Sequence, residues 1–200
     1  MRQYTIRKMT DAGWDAVPVL PIDHTYFDTP DHIKAEAQLA YDDAAILVHL
    51  STQERNYRAV ENTPLGSPCE DSCLEFFFCP MEGDPRYFNI EYNPNECVFV
   101  GFGSGIGDLV RLIPCETESS FFSPTIKRGE DAWEITYRVP YSFIRRFFPE
   151  FKVFSGKRIR ANCYKCADLS EPAHYLAWGP IVGEPFRFHR TECFGEMIFE

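Results

Sequence analysis

Two stretches in the first half of the chain alternate between apolar and polar side chains, at residues 71–79 and 87–93. Their apolar positions are Leu74, Phe76 and Phe78 in the first stretch and Phe88, Ile90 and Tyr92 in the second. A period of two is typical of β-strands, whose side chains point to opposite faces in turn. The intervening residues 80–86 are rich in turn-forming types. The pattern predicts an antiparallel hairpin with one apolar face.

The opposite face of this hairpin carries hydrogen-bonding groups. Asp71, Glu75, Glu91 and Asn93 occupy the alternate positions. Carboxylates and amides so arranged favour a recognition surface for a polar ligand, and the alternative is a solvated sheet face.

The rest of the chain repeats the strand pattern. Ile135 and Tyr137 alternate with polar residues in one further stretch, and the predicted core contains both together with the six apolar hairpin residues. One short helix is predicted at 141–148, with Pro149 ending it. About ten short strands without a βαβ rhythm predict a single all-β domain spanning 1–200. We expect an antiparallel β-sandwich of jelly-roll or immunoglobulin-like type.

The composition is that of a globular β-protein, with 18 Phe and 10 Tyr in 200 residues. A net charge of −10 argues against nucleic acid and against an anionic membrane surface as partners. No apolar run is long enough to cross a bilayer. The first residues lack the apolar core of a signal peptide. We therefore expect a cytoplasmic protein, or a periplasmic or secreted one if a leader was removed.

Eight cysteines raise the question of disulfides or zinc. Most lie in strand-like runs, where a free thiol packs as a small apolar group. The pairs Cys69/Cys73 and Cys163/Cys166 suggest zinc ligands, but residues three apart on a strand point to opposite faces. We predict free, mostly buried thiols, with zinc or a redox pair as alternatives.

Several motifs together resemble the carbohydrate-binding module family 9-like domains, which are DOMON-like β-sandwiches. They comprise DSCLEFF at 71–77, YFNIEYN at 87–93, RANCYKC at 160–166, HYLAWGP at 174–180, Phe188–His189 and FGEMIF at 194–199. The resemblance covers nearly the whole chain, although the first 70 residues match only in outline.

The resemblance implies a sandwich that binds a sugar between two aromatic rings, with polar side chains contacting the hydroxyls. Trp178 resembles one ring of such a clamp. The second ring would be expected near Cys69, yet no aromatic residue stands between Val60 and Asp71.

The resemblance also implies which polar residues contact a sugar. Glu75, Glu91 and Asn93 match the hydroxyl-contacting positions, and we expect Asp71 on the same face. Asn162 and Lys165 are expected near the rim, where Lys165 or Arg58 would offset the carboxylates.

The leading hypothesis is therefore non-catalytic binding of a mono- or oligosaccharide end by a polar sheet face with an aromatic wall. One alternative is a glycoside-active enzyme using Glu75 and Glu91 as acid and base. Another is a structural sandwich that binds a protein partner.

Metals and cofactors are not expected, with two alternatives. Calcium could bind Asp42, Asp43 and other loop carboxylates, as it does in some relatives. Haem could use a histidine with Met81, and the candidate histidines are His49, His174 and His189.

Overall fold

The computed structural model describes residues 1–63, 65–113 and 122–200. These ranges contain fourteen strands. The strands are β1 (Gln3–Lys8), β2 (Leu20–Ile22), β3 (His24–Tyr26), β4 (Lys34–Tyr41), β5 (Ala45–Gln53), β6 (Cys73–Cys79), β7 (Tyr87–Tyr92), β8 (Val98–Gly103), β9 (Val110–Leu112), β10 (Thr125–Arg128), β11 (Ala132–Pro140), β12 (Arg158–Ala167), β13 (His174–Ala177) and β14 (Gly195–Phe199).

The strands form two layers that share β1. Sheet A runs β9-β8-β7-β6-β12-β14-β1, and β13 and β3 extend it beyond β12. Sheet B runs β10-β11-β5-β4-β1, with β2 beside β4. The first part of β1 pairs with β14 and its last two residues pair with β4, in both cases in parallel. The predicted sandwich is confirmed, and the parallel pairing of β1 is an addition to it.

The main core lies between the two sheets. It includes all eight residues predicted for it, each at most 2% exposed. Phe76 is fully buried and stacks on Phe78, with ring centroids 5.0 Å apart. The alternation of apolar residues along β6, β7 and β11 therefore predicted correctly which side chains face the core.

A second apolar cluster covers the other face of sheet A. It consists of Cys73, Phe77, Cys79, Tyr87, Tyr164, Cys166, Ala177, Ile181, Phe188 and Phe194. The segment after β13, residues 178–194, supplies the outer part of this cluster, and we call it the cover segment. Tyr164 Oη donates a hydrogen bond of 2.9 Å to the Phe188 carbonyl, and Tyr87 Oη lies 2.7 Å from His189 Nδ1. The face predicted as a polar surface is therefore largely buried.

The predicted helix is shorter than expected. Helix α1 covers only Tyr141–Ile144, and Arg145 N–H donates an α-helical bond to the Tyr141 carbonyl. The N–H groups of Arg146 and Phe147 reach back only three residues, as in tight turns, and Phe148 N–H reaches back four, to the Ile144 carbonyl. The regular helix therefore ends well before Pro149.

The described cysteines are free thiols. Cys73, Cys79, Cys97, Cys163 and Cys166 are buried, whereas Cys69 and Cys193 are partly exposed. Cys115 lies outside the described residues.

Candidate functional site

Glu75 and Glu91 face each other across the hairpin formed by β6 and β7. They are register partners on β6 and β7 and point away from the main core. Cys166 Sγ donates a hydrogen bond of 2.9 Å to Glu75 Oε1, and Asn89 Nδ2 donates one of 2.6 Å to Glu91 Oε1. Two carboxyl groups thus lie side by side in the buried part of sheet A.

Burial controls the ionisation of this pair. It raises the pKa of Glu75 well above the ordinary value, and the neighbouring charge of Glu91 raises it further. Burial also raises the pKa of Glu91 to about 7, although the Asn89 hydrogen bond opposes this. A carboxyl group that keeps its proton near neutral pH both donates and accepts hydrogen bonds.

The pair forms the floor of a cavity of about 570 Å³. This cavity lies between sheet A and the cover segment. Its lining residues are Phe27, Cys69, Glu75, Glu91, Cys166, Asp168, Tyr175, Glu184, Phe186, Arg187, Phe188 and His189.

Aromatic rings form one wall of the cavity. Phe27 makes edge contacts with Tyr175 and Phe186, at centroid distances of 5.6 and 5.0 Å. Phe186 lies 5.6 Å from Phe188, which stacks on Tyr164 at 4.2 Å. Phe27 is 70% exposed, so the wall reaches the surface.

The cavity is acidic. Four carboxyl groups line it, and Arg187 is its one permanent cation among the described residues. Burial and the charge of Arg187 lower the pKa of His189 to about 4, so this histidine is neutral at pH 7. An acidic cavity with an aromatic wall suits a neutral ligand rich in hydroxyl donors.

The family described as carbohydrate-binding family 9 matches residues 11–199. The chain belongs to this family. No curated protein matches it significantly. Membership of a carbohydrate-binding family supports the prediction of non-catalytic carbohydrate binding over glycoside cleavage.

Solved structures show the same fold over the whole chain. A proposed carbohydrate-binding protein from Bacteroides uniformis is 26% identical, with a TM-score of 0.82 and coverage of 100% of this chain and 99% of the other. A family 9 module from Caldicellulosiruptor kristjanssonii, solved with glucose, is 12% identical and has a TM-score of 0.68, covering 100% and 96% of the two chains. The module solved with cellotriose is 13% identical, with a TM-score of 0.69 and coverage of 100% and 94%.

Asp71 and Asn93, both predicted as sugar contacts, bind each other and a neighbouring loop. Asn93 Nδ2 donates to Asp71 Oδ2 at 2.9 Å and to the Glu61 carbonyl at 2.7 Å. Asp71 Oδ2 also accepts from the backbone N–H groups of Val60 and Glu61. Neither residue lines the acidic cavity, and the two fix the loop that precedes β6.

Asn162 and Trp178 also serve the fold rather than the cavity. Asn162 exchanges hydrogen bonds with the backbone of Gly179, at 2.7 and 3.0 Å, which anchors the start of the cover segment. Trp178 is 3% exposed and belongs to the main core. A Cβ at position 195 would come within 2.4 Å of its ring, so Gly195 leaves room for it. Trp178 does not line the acidic cavity, and the aromatic residues that do, Phe27, Tyr175, Phe186 and Phe188, were not among the predicted site residues.

Lys165 lies on the core side of sheet A, fully buried. Its Nζ is 3.0 Å from Glu54 Oε2 and 2.9 Å from His174 Nε2. Burial alone would raise the pKa of Glu54, but the charge of Lys165 and hydrogen bonds from His174 and Ser72 lower it to about 2. Lys165 therefore neutralises Glu54, and it faces away from Glu75 and Glu91.

The residues considered for haem or calcium have other partners. His49 Nδ1 lies 2.9 Å from Gln38 Oε1, His174 belongs to the Lys165 network, and His189 contacts Tyr87. Asp42 Oδ1 accepts from two backbone N–H groups and its Oδ2 pairs with Arg138. Asp43 pairs with Lys8. The described part of the chain contains no helix long and apolar enough to span a membrane.

A second cavity, of about 600 Å³, lies at one end of sheet B. Lys34, Glu36, Lys127, Arg128 and Glu134 line it with both signs of charge. Its one aromatic lining residue, Trp133, is 2% exposed and donates its indole N–H to Ser72 Oγ at 2.8 Å. This cavity therefore lacks an accessible ring, and it provides a control position for the acidic cavity.

The raised pKa of Glu91 predicts how stability depends on pH. An acid whose pKa is higher in the folded state stabilises that state most below its unfolded pKa, near 4.5, and loses this contribution as pH rises to about 7. We expect the free energy of unfolding of Glu91→Gln, measured with denaturant in the presence of a chelator, to fall less between these pH values than that of the wild type. Glu36→Gln, at an exposed carboxylate, should retain the wild-type slope. Equal slopes for Glu91→Gln and the wild type would contradict the prediction.

Proposed function

We propose that the acidic cavity, defined by its Glu75–Glu91 floor and aromatic wall, binds the end of a mono- or oligosaccharide without cleaving it. The observation that carries this proposal is the combination of two buried carboxyl groups and accessible rings in one cavity. A pyranose has an apolar face that packs on a ring and hydroxyls that need placed hydrogen-bonding partners. The cavity supplies both.

The wall supports a different form of clamp from the one that the resemblance implied. Cys69 lines the cavity where the second ring was expected, and it presents a small thiol. Tyr175 and Phe186 lie 5.8 Å apart and nearly perpendicular, at 70°. A sugar would therefore contact an aromatic corner, with its hydroxyls directed to the carboxyl floor.

The size of the cavity limits the ligand to a sugar end. Its volume of about 570 Å³ lies within the range of small-ligand sites, roughly 300–1,000 Å³. Phe27 at the exposed edge could pack on a second sugar unit. We therefore expect oligosaccharides to bind at least as tightly as the monosaccharide.

Calorimetric titration tests this proposal. The probes are glucose and cellotriose, extended to xylose, galactose and mannose oligomers, with a chelator present throughout. Loss of a hydrogen bond to a charged or strongly polar group costs about 1.5–3 kcal/mol, so Glu91→Met should weaken binding roughly 10- to 100-fold. Tyr175→Ala should weaken it by removing part of the apolar wall.

The matched control is Glu36→Met, which removes a carboxylate from the cavity at the end of sheet B. It should bind sugar like the wild type. Circular dichroism establishes that each variant is folded. If no probe sugar binds the wild type, or if Glu36→Met loses binding while Glu91→Met and Tyr175→Ala keep it, the proposal is wrong.

A further inference from the structure

Two thiols and a carboxyl group converge beneath the acidic cavity. Cys73 on β6 and Cys166 on β12 are register partners, and Glu75 lies two residues along β6 on the same face. One ligand atom from each of the three residues can be chosen so that all lie within 4.8 Å of one another. Within residues 1–63, 65–113 and 122–200, no other group of three or more Cys, His, Asp or Glu side chains converges in this way.

The pairing differs from both cysteine pairs considered in the sequence. Cys73 and Cys166 come from different candidate pairs and meet because antiparallel β6 and β12 place them opposite each other. Each is at most 2% exposed. The arrangement needs no knuckle turn, since two neighbouring strands supply all three groups.

Further carboxyl groups lie close to this thiol cluster. Glu91 and Asp168 act on Glu75 through their charges, and in the described structure none of these three carboxyl groups forms an ion pair. Lys165, which adjoins Cys166 in the sequence, forms an ion pair with Glu54 on the other side of the sheet. A bound cation would interact favourably with these carboxyl groups, in addition to Lys165 and Arg111, whose charges act on Glu75 and Glu91.

The ligand types select the cation. Thiolates favour zinc and other soft metals, whereas calcium requires six to eight oxygen ligands. Zinc sites with three protein ligands keep a fourth position open. Here Glu75 and Cys166 line the acidic cavity, so an open position would face it.

We propose that Cys73, Glu75 and Cys166 bind a zinc ion whose fourth position faces the acidic cavity. On binding, the S–H protons of Cys73 and Cys166 pass to solvent and two zinc–thiolate bonds form, with no change of oxidation state. The proposal departs from the expectation of no metal and does not depend on sugar binding.

The test begins with the reduced, chelator-treated full-length protein in the absence of sugar. Equilibrium dialysis against Zn²⁺ should show one site per chain. Replacement by Co²⁺ should give a thiolate-to-cobalt charge-transfer band and the visible absorption of a tetrahedral ion. Cys73→Ala and Cys166→Ala should each lose the band and weaken metal binding by more than the roughly 10- to 100-fold typical of losing an outer-shell partner.

The matched control is Cys163→Ala, which removes a buried thiol from the opposite face of the same strand, β12. It should bind metal like the wild type. Glu91→Met retains all three proposed ligands and should still show the thiolate band, which separates this site from the sugar contacts.

Zinc binding and the cobalt spectrum of the wild-type protein test the proposal even if an alanine variant fails to fold. A reduced wild-type protein that binds no Zn²⁺, or a cobalt complex without a thiolate band, would overturn it. So would finding that the unreduced protein carries a Cys73–Cys166 disulfide while the reduced protein binds no metal. Glu75→Gln provides a conservative third variant, and it should weaken binding while keeping the thiolate band.

Discussion

Replacing Lys165 with methionine should destabilise the protein by about 3–5 kcal/mol, the usual cost of removing one partner from a buried ion pair. Lys165 is fully buried and Glu54 is 4% exposed, so neither group has water as a substitute partner. The variant would leave the Glu54 carboxylate with hydrogen bonds from Ser72 and His174 but without its cation. Chemical denaturation at pH 7 measures the loss.

A double variant separates the ion pair from simple packing. Glu54→Gln/Lys165→Met removes both charges and should be more stable than Lys165→Met alone, because no unpaired charge remains buried. Lys127→Met serves as the exposed control. Lys127 is 78% exposed where it pairs with Glu134, so its loss should cost less than about 1 kcal/mol. If Lys165→Met also lowered the free energy of unfolding by less than about 1 kcal/mol, Lys165 would not be an essential partner of Glu54.

Phe76→Ala should cost about 3–5 kcal/mol, as truncation of a large core side chain does. Phe76 is fully buried in the main core, stacked on Phe78 and paired in register with Ile90 and Cys163. These neighbours belong to three hydrogen-bonded strands and cannot close the resulting cavity without moving the sheet. Denaturation with urea measures the change.

The control for this variant is Phe154→Ala. It removes the same atoms from a side chain that is 62% exposed. Surface substitutions of this kind usually change stability by less than about 0.5 kcal/mol. Similar losses at positions 76 and 154 would show that the core assignment is wrong.

The sequence predicted the main core because that information is local. Leu74, Phe76 and Phe78 share a face by strand geometry alone, as do Phe88 and Ile90. The parallel pairing of β1 with β14 joins residues almost 200 positions apart and leaves no local signal. The same holds for the second apolar cluster, because the cover segment contains little regular structure to indicate where it packs.

The sequence predicted those parts of the site whose positions depend on strand register. Glu75 and Glu91 lie opposite each other, as the hairpin required. The sequence could not show that Asp71 and Asn93 form hydrogen bonds with the backbone of a loop. The same alternating pattern is expected whether a carboxylate accepts hydrogen bonds from a sugar or from backbone N–H groups. One signal for the wall did exist: Phe186 and Phe188 alternate with Arg187 and His189.

The thiol cluster shows the same limit. The sequence suggested cysteine pairs by their spacing along the chain. The structure instead brings together Cys73 and Cys166, which are 93 positions apart, through the register of β6 and β12. Spacing indicates metal ligands only where a turn holds them, whereas neighbouring strands can align ligands from any two parts of a chain.

The central claim, that the acidic cavity binds sugar, is tested most directly by mapping amide chemical shifts during a sugar titration of the isotope-labelled protein. Glucose or cellotriose, or another sugar of the calorimetric panel, should shift the amide resonances of Glu75, Glu91, Asp168, Tyr175 and the cover segment around Phe186. The amide resonances of residues at the end of sheet B, such as Glu36 and Lys127, should not shift. Shifts confined to the end of sheet B, or no shifts with any sugar, would contradict the account.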